Sequence, residues 1–161
     1  KQINIPSYSI SIGSNAFYDC VKLNKITILS KETMIGPFAF NGCVSLIEVK
    51  LPSYLNSAEI LNEDKHSTTS FETVIEEGVF SDCSSLKQIS ISSSIFEIGQ
   101  SAFINCKSLT KVLIPSSVKS IGSDCFLECD SLQIVKHIGS KIIYKEKKKA
   151  KKVLDWFKDN L

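Results

Sequence analysis

One spelling recurs five times along this chain: Ile-Gly-x-x-Ala-Phe-x-x-Cys-x-x-Leu-x-x-Ile-x-Ile. Its phenylalanines are Phe17, Phe40, Phe80, Phe103 and Phe126, spaced 23, 40, 23 and 23 residues, so the period is 23 with one copy lengthened by 17. The cysteines keep the same beat at Cys20, Cys43, Cys83, Cys106 and Cys129, and so do the leucines at Leu23, Leu46, Leu86, Leu109 and Leu132. The pairs Ile26/Ile28, Val49/Leu51, Ile89/Ile91 and Val112/Ile114 follow in step. The third copy is the loosest, with Glu76 in the glycine slot and Val79 in the alanine slot. A period of this length implies stacked units, each burying its apolar side only against its neighbours, with one core running from end to end.

Within a unit, Leu109-x-x-Val112-x-Ile114 alternates apolar residues at period two and stops at Pro115, which reads as a short strand. Ile121, Cys125, Phe126 and Cys129 fall at i, i+4, i+5 and i+8, which predicts a helical turn or two behind the strand. The expected class is therefore α/β: a solenoid with a parallel sheet on its concave side and short helical turns on its convex side. The two-residue period also predicts which strand residues face away from the core. They are Lys25 and Thr27, Glu48 and Lys50, Gln88 and Ser90, Lys111 and Leu113, and Ile134 and Lys136. Leu113 and Ile134 place apolar residues on adjacent coils of an open sheet. Two readings of this face stand: an ordinary solvated sheet, or a protein-binding patch of Lys25, Lys50, Lys111, Leu113, Ile134 and Lys136.

The Ala-Phe-x-x-Cys-x-x-Leu core, the short strand, and the linker Ile114-Pro115-Ser116-Ser117-Val118-Lys119-Ser120-Ile121-Gly122 together resemble the BspA-like leucine-rich repeats. Weaker forms of the linker are Leu51-Pro52-Ser53 and Ile5-Pro6-Ser7, and the likeness covers residues 1 to about 138. The resemblance implies cell-surface display or secretion, with adhesion to extracellular matrix or other surface proteins. A solenoid hosts many partners, so this likeness speaks more firmly for fold than for function.

Charge is segregated. All 19 basic residues are lysines, which removes the guanidinium fork used to read phosphates and guanine. Residues 141 to 161 hold eight Lys against three acids, leaving the repeats at 11 Lys against 14 acids. An acidic solenoid with a basic tail is a poor nucleic-acid binder. In that tail Ala150, Val153, Leu154, Phe157 and Leu161 share one helical face, which predicts an amphipathic helix capping the last coil. A basic helix lying on an anionic membrane is the alternative. These features divide the chain into a solenoid over 1–140, with an insertion near 56–72, and a cap over 141–161. The insertion reads as a tolerated surface loop or as a binding loop.

Five cysteines share one inward position, and Cys125 takes the slot of Ala16, Ala39 and Ala102. Register-equivalent side chains point the same way and not at one another, so buried free thiols are expected. A Cys125/Cys129 bridge is the alternative. No phosphate-cradling glycine loop, His-Glu-x-x-His or nucleophile elbow is present, and with the thiols buried no nucleophile beside a base can be named. No enzyme and no cofactor are therefore expected. The chain opens on Ile3-Asn4-Ile5-Pro6, aligned with the strand end of a repeat, which reads as an excised piece whose open first coil could stack on a second copy. The leading expectation is a protein-binding module at the cell surface. The alternative is a cytoplasmic scaffold, favoured by reduced thiols and by eight Asn that form no Asn-x-Ser/Thr sequon.

Overall fold

The computed structural model describes residues 1–9, 11–29, 34–51, 73–138 and 143–144, with Thr73, 134–138 and 143–144 described as backbone. The described residues include twelve short strands, which wind into a parallel β-solenoid. A seven-stranded sheet has the order β1 (Gln2–Ile5), β3 (Lys25–Ile28), β5 (Glu48–Lys50), β7 (Gln88–Ser90), β9 (Lys111–Pro115), β11 (Ile134–Ile138), β12 (Ile143–Tyr144). The first six strands run parallel, and β12 closes the end antiparallel to β11. Behind this sheet, each coil continues through a second short strand. β2 (Ser11–Ile12) pairs with β4 (Met34–Ile35), while β6 (Thr73–Ile75), β8 (Ile95–Ile98) and β10 (Ser120–Ile121) form a separate three-stranded ladder.

The segments expected to be helical turns differ from that expectation, because among the described residues there is no helix. Each coil instead carries two residues at positive φ, one before the Ala slot and one before the Cys slot: Asn15 and Asp19, Phe38 and Gly42, Gly78 and Asp82, Ser101 and Asn105, Asp124 and Glu128. A left-handed residue ends the right-handed winding that a helix needs. The chain makes consecutive tight turns, closed for example by Ala16 N–H to the Gly13 carbonyl and Cys20 N–H to the Phe17 carbonyl. The intervening amides point along the solenoid axis. Asn15, Phe17 and Asp19 donate to the carbonyls of Pro37, Ala39 and Asn41 at 3.1, 2.8 and 2.8 Å, and the same pattern repeats down the stack.

The repeated residues fill the interior. Phe40, Phe80, Phe103 and Phe126 are fully buried, and the five rings form a near-parallel stack with centroid steps of 5.1, 5.6, 5.5 and 5.5 Å. These steps suit offset stacking at the spacing that strand pairing imposes. The 5.6 Å step joins Phe40 to Phe80, so the long copy leaves the stack unbroken.

All six cysteines are free, five of them buried and Cys20 half-buried at the N-terminal end. Each buried thiol of the repeated row donates to the phenylalanine carbonyl of an earlier coil: Cys43 to Phe17, Cys83 to Phe40, Cys106 to Phe80 and Cys129 to Phe103, at 3.1–3.3 Å. Burial raises the Cys43 and Cys129 thiols from 9.0 to about 12 and pushes those of Cys83, Cys106 and Cys125 well up.

The irregular third copy has a structural counterpart. A Cβ on Gly99 or Gly122 would lie 2.9 or 2.3 Å from backbone of the preceding coil, whereas at Gly13, in the first described coil, nothing lies within 4 Å. The small sheet breaks between β4 and β6, so the strand leading into Glu76 pairs with β8 of the following coil and not with β4 of the preceding one. Close backbone approach requires glycine at Gly99 and Gly122, and the glutamate in this slot stands where β4 and β6 do not pair.

Candidate functional site

The sheet's outer face is set by strand parity. Ile26, Ile28, Val49, Ile89, Val112 and Ile114 turn inward and are buried, which leaves the alternate residues facing solvent. Parallel register arranges them in two rows across the strands. One runs Gln2, Lys25, Glu48, Gln88, Lys111, Ile134. The other places Asn4, Thr27 and Lys50 in line, then Ser90, Leu113 and Lys136.

All six residues singled out from the sequence therefore lie on strands of one sheet, but not as one apolar patch. Leu113 and Ile134 are on adjacent strands, yet register sets Ile134 beside Lys111 and Leu113 beside Lys136. The pair is offset diagonally, with a lysine position next to each apolar one. Leu113 is half-buried and Lys111 exposed, while only backbone placement is described for Ile134 and Lys136.

Electrostatically the face falls into two parts. Glu48 bonds Lys25 at 2.8 Å and Lys50 at 3.4 Å. The hydrogen bond from Lys25, assisted by Lys50, holds the Glu48 carboxyl below its usual range. Lys111 has no ion pair among the described residues. The opposite, turn-bearing side has the reverse sign. Its segments 13–20, 36–43, 76–83, 99–106 and 122–129 hold Asp19, Glu76, Glu77, Asp82, Asp124 and Glu128 and not one lysine. This sorting of charge between two sides is not among the sequence expectations above. It was visible by setting the repeats under one another and reading the columns.

Among the described residues no cluster of three or more His, Cys, Asp or Glu could hold a metal ion, and no helix is long and apolar enough to cross a membrane. The insertion at 56–72, with His66, and the amphipathic stretch 145–161 lie outside the described residues. β12 extends the sheet past residue 140, the boundary drawn for the solenoid.

A parallel β-solenoid with an open sheet on one side and stacked Phe-Cys turns on the other defines a class of repeat protein. Within it, the chain belongs to the BspA-type leucine-rich repeat family, whose family model matches residues 1–63 and 61–148 with six copies. It is similar to a leucine-rich cell surface protein of Faecalibacterium prausnitzii at 28% identity and a TM-score of 0.72 over 87% of this chain and 32% of that one. A leucine-rich repeat protein of T. pallidum is 32% identical, with a TM-score of 0.69 over 83% of this chain and 57% of that one. Another from Bacteroides ovatus is 29% identical, with a TM-score of 0.66 over 86% of this chain and 36% of that one. The chain thus spans between about a third and just over half of these proteins. No curated protein sequence matches it.

Proposed function

We propose that this chain is a protein-binding repeat module that works through the outer face of its seven-stranded sheet, as part of an adhesion-type protein displayed at the cell surface. The observation that carries the reading is the division of labour within each strand. Every second residue is committed to the Phe-Cys-Leu core, while the others form two rows outside that core, mostly polar and exposed or half-buried. Surfaces of this kind, on rigid elements, are where a repeat scaffold presents contacts. The surface location rests on the similarity to the F. prausnitzii protein, which is named a cell surface protein.

The test is surface plasmon resonance of the purified chain against a panel of extracellular matrix proteins, with Lys50→Glu and Lys111→Glu as sheet-face variants. Binding to one or more panel members that is lost in the variants supports the reading. Binding that ignores both substitutions removes the face from the function. A second reading, an intracellular scaffold, draws on the six free thiols, which suit a reducing compartment. Antibody staining of intact against permeabilised cells separates the two: signal only after permeabilisation selects the scaffold.

A further inference from the structure

We propose that the β9–β11 end of the sheet is a subsite for an extended segment of a partner protein in which acidic and apolar side chains alternate. This rests on the sheet-face reading above and adds the partner's chemistry. Along β9 the outward positions are Lys111 and Leu113; along β11 the matching register positions are Ile134 and Lys136. Across the strands Lys111 meets Ile134, Leu113 meets Lys136, and Lys136 in turn meets Ile143 of β12. Cationic and apolar positions therefore alternate in both directions, with steps of about 6.6 Å along a strand and about 4.8 Å across.

Three observations favour this end and this chemistry. Nearer the N-terminus, Lys25 and Lys50 share the Glu48 carboxylate, so part of the positive charge there is already neutralised. Lys111 is exposed and carries no ion pair among the described residues, so its ammonium is available to an incoming carboxylate. The turn segments 13–20, 36–43, 76–83, 99–106 and 122–129, with six acids, outweigh Lys22 and Lys107 in the turns that follow and disfavour the same ligand, so an acidic segment is steered to the sheet. Leu113, half-buried and standing between Ser90 and Lys136, supplies an apolar contact that a purely ionic site lacks. Lysine ammonium groups accept carboxylates from many directions, which suits an extended chain better than the planar, bidentate recognition that arginine provides.

The experiment measures fluorescence anisotropy of a labelled Glu-Val-Glu-Val-Glu-Val peptide titrated with the full chain. A Lys-Val peptide of the same length and a heparin fragment of matched charge serve as competitors. Expected are saturable binding of the acidic peptide, no competition by the Lys-Val peptide, and at least about tenfold weakening in both Lys111→Glu and Leu113→Ser. Lys25→Gln should change affinity by no more than about twofold, because that lysine is already paired at the surface. Raising salt from about 20 mM to about 300 mM should weaken binding without abolishing it, since screening acts only on the ionic half.

Each variant lies at the surface, and a melting curve matching the parent confirms its fold. No measurable binding of the acidic peptide overturns the proposal, as does binding unchanged by Lys111→Glu and Leu113→Ser. So does preferential displacement by heparin, which would assign the lysines to a sulfated glycan, or self-association of the chain in place of peptide binding. If a matrix protein is lost in Lys50→Glu but retained in Lys111→Glu, the subsite falls while the sheet-face function stands.

Discussion

A cysteine thiol is a weak hydrogen-bond donor, and in this chain its role is structural. Each buried thiol of the row reaches back to a phenylalanine carbonyl of an earlier coil, so the Cys row ties coil to coil as the Phe row fills them. Phe103 lies between Phe80 and Phe126 at 5.5 Å on each side and is fully buried, so Phe103→Ala should cost about 3–5 kcal/mol. The measurement is a urea unfolding curve, and a loss below about 1 kcal/mol would show that neighbouring rings close the gap. Glu128 offers a gain. It is exposed, sits at a φ of 58°, and occupies the column that other copies fill with Asp19, Gly42, Asp82 and Asn105. Glu128→Gly removes left-handed strain and should raise stability by up to about 1 kcal/mol, seen as a higher melting temperature.

At the scale of elements, the notable feature is how the long third copy is accommodated. The Phe40–Phe80 stack, the Cys83 thiol bond and the amides of Phe38, Phe40 and Gly42 all cross directly to the next coil. Among the described residues the small sheet is interrupted between β4 and β6, and the main sheet narrows there to the single pair Glu48–Gln88. Deleting residues 56–72 and joining the ends should therefore move the urea midpoint little, within about 1 kcal/mol, because closure entropy depends weakly on loop length. Aggregation or a much larger loss would mean that the segment contributes to the body.

For the whole molecule, the buried thiols couple stability to alkaline pH. Their folded-state values are raised above the ordinary 9.0, so they stay neutral in the native state while the unfolded chain releases their protons. The unfolded state then binds fewer protons, and stability falls as pH rises. It should be steady below about pH 9 and decline above it, by up to about 1.4 kcal/mol per pH unit for each fully buried thiol. Melting curves from neutral pH to about pH 10.5, with Cys106→Ala as a comparison whose decline is shallower by one proton, check this. An equal slope in the two proteins would remove Cys106 from the effect.

The period of 23, with Phe, Cys and Leu returning at fixed offsets, by itself determined the solenoid, its buried rows and the parity of each strand. This is legible because a repeat buries residues only against its neighbours, so each inward position must recur. The column Asp19, Gly42, Asp82, Asn105 and Glu128 also carried the signal against helix, since Asp, Asn and Gly tolerate left-handed backbone. Apolar spacing alone pointed to a helical turn because it records which residues are buried and not how the backbone between them winds. Only the tertiary structure decided strand register, and with it that Leu113 and Ile134 are diagonal and that Glu48 occupies two lysines. Register, ion pairing and the break between β4 and β6 depend on which backbone lies beside which, and one sequence read alone does not contain that information.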